Sequence, residues 1–355
     1  MNSLTTRWLI LLAGAALIAP AAKADDDYLI MADRSRSSDW TRNFRVGMQL
    51  GLNIHANFSS SGVFPVSGSN PGAPGVSGVN HIYDDGYVRV DETGNAGGYT
   101  SYWGYNNASQ YNPGAQTLTY HSAKSYSANS GTSQANDVPY IGLDAAYGGF
   151  IRNWGPASIG WDLGFGLLPI AIKDNRSFSA TLVTSVQTVP TGGVVLPTAP
   201  YNGGSSGVGV NIPDVTTAQP DKIVAGTVSG TRTLDVTLYH LRLGPTLQLP
   251  VARRLKIQVS AGPALGLVSG DYRFNESPLS SGGTARNIGK FGKTDLVYGG
   301  YVNALALFRV EEHGDIFVGA QFMSLSDSKF SKAGREAKLS LGSGIYLTAG
   351  LSWPF

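Results

Sequence analysis

The final segment of the chain, Leu339 to Phe355, alternates between apolar side chains and small or polar ones. A period of two is typical of a β-strand, because neighbouring side chains in a strand point to opposite faces. One face of this strand is apolar along its length, with Phe355, Trp353, Leu351, Ala349, Leu347 and Ile345. Either a second protein layer or lipid must therefore cover that face.

The same alternation recurs along the chain and predicts eight strands in all. The other seven segments are Phe44–Phe58, Tyr140–Ile151, Ser158–Ile172, Leu241–Leu249, Leu255–Leu267, Leu296–Val310 and Ile316–Phe322. In the sixth strand the pattern is blurred, because Leu305 and Leu307 fall on its polar face. Pro245 and Pro263 lie inside strands, and proline cannot donate to a hydrogen-bond ladder, so we expect β-bulges at both.

The connections between these strands alternate in length. Short turns at 153–157, 250–254 and 311–315 alternate with longer segments that start near 59, 173, 271 and 327. An even strand number with short periplasmic turns and longer extracellular loops is typical of bacterial transmembrane barrels. The sequence thus predicts an all-β fold, an eight-stranded antiparallel transmembrane β-barrel with long extracellular loops at 59–137 and 173–230.

The N-terminal residues form a separate unit. Arg7, the apolar run Trp8–Ala19 and the small-x-small site Ala22-Lys23-Ala24 predict a cleaved signal peptide at 1–24. We interpret 25–43 as a periplasmic tether and 44–355 as the barrel. With 46 glycines, 18 prolines and 14% charged residues, the composition is unlike that of an ordinary soluble domain.

Charge and cysteine content exclude several functions. The formal charge of +2 becomes zero without Arg7 and Lys23, so no basic surface for nucleic acid is expected. The chain has no cysteine, which excludes disulfides, thiolate metal sites and cysteine nucleophiles. The five histidines share no metal-ligand spacing, and we expect neither a metal nor another cofactor.

Catalytic motifs are weak. Gly203–Gly207 matches G-x-S-x-G, but it lies in a Gly/Ser-rich segment and not at a strand-to-helix elbow. Asp84-Asp85 and Asp91-Glu92 lack calcium-loop spacing, which favours a solvated acidic loop. His121-Ser122 leaves open the alternative of a lipid-modifying hydrolase or acyltransferase, although we expect no enzymatic activity.

Six charged residues fall on the inward face of the predicted strands: Arg45, Asp144, Asp162, Arg242, Lys256 and Arg309. Burying a charge is costly unless it is paired. Counted from the short turns, Asp144 and Arg242 lie at similar heights, so we expect them to meet across the lumen. We favour a salt-bridged plug, and the alternative is a gate or ion path.

In strand number, turn asymmetry and terminal aromatic residue, residues 44–355 resemble the small eight-stranded outer-membrane barrels, such as the transmembrane domain of outer membrane protein A and the outer membrane protein X and W types. The first loop is longer than those families usually carry. The resemblance implies a porin-like monomer in the outer membrane of a Gram-negative cell envelope, in contact with membrane lipid including lipopolysaccharide. It also implies insertion by the barrel assembly machinery, with a C-terminal signal at Tyr346, Leu351, Trp353 and Phe355.

From these features we expect a structural or surface-interaction role. A narrow channel or transporter for small solutes is the first alternative. A lipid-modifying enzyme and a soluble secreted β-sandwich are the others.

Overall fold

The computed structural model describes residues 42–64, 78–133, 139–203, 209–280, 283–284, 286–311 and 314–354. The predicted signal peptide, nearly all of the predicted tether, and Phe355 lie outside these residues. A short 3₁₀ turn occupies Ala108–Gln110, and no helix in the described ranges has the length and apolarity needed to cross a membrane.

The strands are β1 (Arg42–Leu52), β2 (His55–Val63), β3 (Val79–Tyr83), β4 (Gly86–Val90), β5 (Tyr99–Thr100), β6 (Trp103–Tyr105), β7 (Tyr111–Asn112), β8 (Thr117–Ser133), β9 (Tyr140–Trp154), β10 (Ala157–Asp174), β11 (Phe178–Pro190), β12 (Tyr201–Asn202), β13 (Ile212–Pro213), β14 (Thr217–Ala252), β15 (Leu255–Ser280), β16 (Gly283–Thr284), β17 (Asn287–Glu311), β18 (Gly314–Leu325), β19 (Ser328–Lys332), β20 (Arg335–Ser340) and β21 (Gly344–Pro354).

The main sheet has 15 strands, and all of its pairings are antiparallel. Eight of them pair in a closed cycle, which we call the lower ring: β1, β9, β10, β14, β15, β17, β18, β21 and back to β1. The prediction of an all-β antiparallel fold is confirmed. The predicted count of eight does not describe the sheet as a whole, because further segments extend it beyond the ring.

These further segments form an upper wall, made by β2, β8, β11, β19 and β20 with the upper parts of β14, β15 and β17. Several of them continue a strand of the ring. Asp174 of β10 lies opposite Arg232 and Phe178 of β11 lies opposite Val228, so β10 and β11 follow one line along β14.

β1 and β2 are separated at Asn53, whose φ of 58° is left-handed. Its side-chain amide donates to the carbonyl and hydroxyl oxygens of Ser343, both at 2.9 Å. Ser343 lies in the break between β20 and β21, so the two neighbouring strands are interrupted at the same height. An asparagine tolerates this backbone conformation better than most residues.

The segments predicted as long loops are partly strands. β11 and the start of β14 lie within 173–230, β2 and β8 reach into 59–137, and the predicted loops near 271–293 and 327–338 contain the ends of β15 and β17 and the hairpin β19–β20. These strands carry mostly Ser, Thr, Gly and charged residues on their outward face, so their composition resembles that of loops although their alternation is present. Within the first of these segments, 59–137, β3 and β4 form a local hairpin at Ile82.

The bulges predicted at Pro245 and Pro263 are wrong. Arg242 pairs with Ala264 and Thr246 with Ser260, so the register between β14 and β15 is unchanged across the prolines, while the ladder between these pairs is interrupted. Gly244 and Gly262 let the two backbones approach closely there: a Cβ on either would lie 2.1 or 2.2 Å from a carbonyl oxygen of the other strand. Because both prolines lie between the same two strands, the ladder loses its hydrogen bonds at one place only and no bulge is required.

Candidate functional site

The lumen of the lower ring holds a buried group of charged and amide side chains, the lower cluster. Arg45 lies 2.5 Å from the Asp162 carboxylate, and it also donates to Gln258 Oε1 at 3.0 Å. Gln248 donates to the same Gln258 oxygen at 2.8 Å. β1 and β10 both flank β9, so the Arg45–Asp162 pair joins nearby strands, whereas Gln258 on β15 lies on the opposite side of the ring and its hydrogen bond with Arg45 crosses the lumen.

A second ion pair joins Arg242 and Asp144. Arg242 Nη1 and Nη2 each lie 2.7 Å from an Asp144 carboxylate oxygen, and both side chains are buried. β10 makes room for this layer with glycines, since a Cβ on Gly164 would lie 2.4 Å from Arg242 Nε. The two arginines and two aspartates balance in charge, which limits the cost of removing them from water.

The other two predicted lumen charges stand apart. Lys256 and Arg309 are half-exposed at inward-phase positions near the short turns, and within the described residues neither forms an ion pair. The structure therefore brings together Arg45, Asp144, Asp162 and Arg242 but not Lys256 and Arg309. Near them, Leu305 and Leu307 point inward and pack with Phe317, which gives the lumen an apolar floor.

The predicted C-terminal signal divides between the two faces of β21. Tyr346 is fully buried in the lumen, with its ring 5.8 Å from that of His240. Leu351 and Trp353 point outward and are exposed, and Trp353 stacks on Phe44 with ring centres 6.5 Å apart. Recognition of this segment by an assembly machinery stays a prediction.

Above the lower cluster the lumen becomes apolar. His240 Nε2 lies 3.3 Å from Gln49 Oε1 and marks the transition. The layer above it, the apolar layer, consists of side chains with at most 3% of their surface exposed: Leu168, Ile170, Leu238, Val268, Val297, Met323, Leu325 and Leu341. This layer separates the lower cluster from the upper half of the barrel.

A second buried charge network, the upper cluster, lies inside the upper wall. Arg232 and Glu276 are both fully buried and in contact at 2.5 Å, and Ser60 donates to the other Glu276 oxygen at 2.5 Å. Arg335 lies 3.7 Å from Glu276 and donates to the Tyr126 hydroxyl at 2.6 Å. Sequence reasoning missed this cluster, because four of its five members lie in segments predicted as loops.

Two long segments of the chain build one unit above the barrel, which we call the cap. Its four-stranded sheet has the order β12, β6, β4, β3, and so combines residues 79–105 with residues 201–202. Trp103 donates to Val210 O at 2.7 Å and Tyr87 donates to Gly203 O at 2.8 Å. Burial raises the pKa of Tyr83 to about 12, and burial beside Tyr102 and Tyr201 does the same for Tyr87.

The acidic turn of the β3–β4 hairpin attaches the cap to β8. Asp85 accepts the backbone N–H of His121 at 2.8 Å, and its other oxygen lies 2.7 Å from His121 Nδ1. Asp84 accepts the backbone N–H of Ala123 at 2.7 Å. Asp85 thus binds both the backbone and the ring of His121, so His121 has a structural role in attaching the cap to β8. These contacts pair His121 with Asp85 and not with Ser122.

A second acidic residue organises a turn of the cap. The Asp91 carboxylate accepts hydrogen bonds from the Thr93 hydroxyl at 2.6 Å and from the backbone of Thr93 and Ala96. These hydrogen bonds hold the pKa of Asp91 below its usual value. No group of three or more His, Cys, Asp or Glu side chains in the described ranges is arranged to hold a metal ion.

Comparison with known proteins adds little. No family model and no curated protein matches the chain. Among solved structures, the outer membrane protease OmpT from Escherichia coli aligns over 88% of this chain and 97% of its own, with 10% identity and a TM-score of 0.31. A FadL homologue from Pseudomonas aeruginosa has 10% identity and a TM-score of 0.19 over 89% of this chain and 90% of its own.

The monoaromatic hydrocarbon channel TodX aligns over the same shares of the two chains, with 8% identity and a TM-score of 0.17. None of these three proteins is an outer membrane protein A, X or W type. At such TM-scores the likeness carries no argument, and the fold assignment depends on the strand pairing described above.

Proposed function

We propose that this protein is an outer-membrane β-barrel that crosses the bilayer with the eight strands of the lower ring, that its lumen is closed, and that it serves a structural or surface-interaction role. The observation that carries the proposal is the distribution of side chains in the ring. Charged side chains are buried in the lumen while large apolar ones face outward, which is the reverse of a soluble domain.

The outward face of the ring forms a continuous apolar belt. Met48 is 57% exposed, Leu143 62% and Leu296 66%. On β14 the outward positions of residues 239–249 are apolar over eleven residues, which matches the 9–11 residues that a transmembrane strand requires. An exposed apolar surface of this extent is stable in lipid and not in water.

The upper boundary of the belt is a single cross-strand row. Leu167, Tyr239, Leu267 and Leu296 lie opposite one another on four adjacent strands. Two residues further up, Pro169, Thr237, Ser269 and Thr294 lie opposite one another, and all of these except Pro169 are polar. Aromatic side chains mark both edges, with Tyr239 and Tyr298 at the top and Phe44, Phe308 and Trp353 near the short turns, as in the aromatic girdles of such barrels.

The closed lumen favours a surface role over transport. An eight-stranded ring is only wide enough to be filled by its own side chains. Here the apolar floor, the lower cluster and the apolar layer fill the lumen one above the other. The apolar layer offers water no hydrogen-bond partners. The part of the molecule available to partners outside the membrane is the upper wall with its cap.

A pair of matched substitutions tests membrane insertion. Met48 in the belt and Ile223 at the upper end of β14 are both exposed, by 57% and 75%. In a soluble protein, arginine at either exposed site changes stability little, about 0.5 kcal/mol or less. In a bilayer, Met48→Arg should cost about 2–4 kcal/mol, whereas Ile223→Arg should cost close to nothing.

The free energy of unfolding is measured by urea titration of each variant refolded into lipid vesicles. In a detergent gel, the wild-type protein should migrate differently before and after boiling. Equal tolerance of both arginines, or identical migration before and after boiling, contradicts the barrel in favour of a secreted β-sandwich.

A further inference from the structure

A groove of about 700 Å³ lies where β9 and β10 separate. The last pair of these strands is Leu143 with Leu167. Beyond it, Pro139–Ile141 line the groove on one side and Pro169–Ala171 with Lys173 on the other, and β14 and β15 contribute Val236 and Gly270. The volume is within the range of small-molecule sites in proteins, about 300–1,000 Å³.

The groove crosses the upper boundary of the apolar belt. At its lower end Ile141 and Pro169 are outward-facing and exposed, and they continue the belt directly. Ser269 lies in the same cross-strand row as Pro169, and at the upper end of the groove the lining becomes polar, with Asp235 and Lys173. A ligand that fits both ends is apolar over most of its length and polar at one end.

The charge at the upper end is positive. Asp235 is already in contact with Arg273 at 3.2 Å. Lys173 is exposed and has no ion-pair partner in the part of the chain that the structure describes. The free ammonium group therefore favours an anionic head on the ligand.

We infer that this groove binds one acyl chain of an outer-leaflet lipid whose phosphate lies on Lys173. The chain fills the apolar recess left where β9 and β10 diverge, and it excludes water from the outward face of Ala171. A free phosphate does not account for the site, since one exposed lysine without convergent donors is not an anion pocket, whereas the apolar recess is continuous with the lipid-facing belt. The inference rests on the proposed membrane insertion.

The test measures the thermal midpoint of refolded protein in uncharged detergent micelles as lipid is added. Phosphatidylglycerol should raise the midpoint, phosphatidylcholine should raise it less, and glycerol phosphate should leave it unchanged. Lys173→Gln should weaken the apparent affinity for phosphatidylglycerol by roughly tenfold. Lys222→Gln, an exposed lysine far up on β14, is the control and should bind as wild type does.

Two groove-filling variants, Ala171→Trp and Thr237→Trp, place bulk on the exposed face of two different strands. Each should fold, as judged by heat-modifiable migration, and each should abolish the lipid-dependent shift. The inference is overturned if glycerol phosphate stabilises as well as the lipid does, or if both tryptophan variants keep the full shift. Because migration in the gel reports on the barrel independently, a folded barrel without a lipid shift refutes the groove site alone.

Discussion

Arg242 and Asp144 meet inside the lumen because β14 and β9 bring them to one height and because Gly164 leaves space for the guanidinium. The pair is stabilising only while both members are present. In the low-dielectric lumen, a lone arginine retains the full cost of its desolvation, and that cost exceeds the net contribution of the pair itself.

Replacing Asp144 with alanine should therefore cost roughly 3–5 kcal/mol, since it leaves Arg242 buried without a partner. Adding Arg242→Ala should cost little more, because the free-energy effects of mutating two contacting residues are not additive. Urea unfolding of the refolded variants measures both values. Lys256→Ala, at a half-exposed site near the short turns, is the control and should stay within about 0.5 kcal/mol of wild type; strict additivity of the Asp144 and Arg242 changes contradicts the pairing.

Residue positions were predictable where alternation and turn-counting both apply. The inward phase of Arg45, Asp144, Asp162 and Arg242 follows from alternation, and the meeting of Asp144 with Arg242 follows from equal distance to the short turns. Lys256 and Arg309 have the same phase but lie close to the turns, where solvent reaches them. Alternation gives the face of a side chain and not its depth, so the sequence did not distinguish the two groups.

At the scale of elements, side-chain hydrogen bonds join the two cap segments to each other and to the barrel. Hydrogen bonds from Tyr87, Trp103 and Tyr105 join the first long segment to the second, and the Asp84–Asp85 turn joins it to β8. The seam between β17 and β19 is similar: Lys293 donates to Lys329 O at 2.9 Å and Ser328 donates to Asp295 at 2.9 Å.

The cap should loosen in alkali before the barrel unfolds. The folded-state pKa values of Tyr83 and Tyr87 are raised to about 12 from an ordinary 10.0. A group whose pKa is higher in the folded state than in the unfolded state stabilises the fold fully at pH values below its unfolded-state pKa. The contribution of these two tyrosines is therefore lost as the pH rises from 10 through 12. Tyrosinate absorbance should lag behind that of free tyrosine over this range, and protease cleavage within 79–105 should increase over the same range.

Tyr83→Phe and Tyr87→Phe remove one titrating hydroxyl each and should reduce the late absorbance step. Titration of all tyrosines near pH 10 in the folded protein argues against a buried cap.

Element boundaries were less predictable than element type. The strands of the lower ring are predictable because every second residue, on the outward face, is apolar. The upper wall has mostly Ser, Thr, Gly and charged residues outside, so alternation persists while the composition is that of a loop. The pattern did not predict the upper cluster, since Glu276 and Arg335 lie in segments whose composition predicts loops.

At the scale of the whole molecule, the difference between the two ends predicts the direction of the proposed insertion. Short turns close one end, and the cap covers the other. Because the chain has no cysteine, single introduced cysteines report on one site each.

On intact cells, a membrane-impermeant maleimide should label Val195→Cys, at a position 90% exposed among the cap segments. It should not label Pro156→Cys in the turn between β9 and β10 until the outer membrane is permeabilised. Labelling of Pro156→Cys on intact cells, with Val195→Cys protected, means that the orientation is reversed.

Closure of the lumen is a property of the stacked layers together, so removing one layer should not open a path. Wild-type protein in a planar bilayer should show no steady current, and the double variant Asp144→Ala/Arg242→Ala should stay closed because the apolar layer above it is intact. Leu168→Ser combined with Leu238→Ser places hydroxyls in that layer at two fully buried sites on adjacent strands. Only the combination of all four changes with Phe317→Ala, which removes the largest side chain of the apolar floor, should admit water through all three layers and give measurable conductance, with the refolded fraction of each variant measured in parallel. A stable open-channel current from the wild type contradicts the closed lumen and supports the solute channel instead.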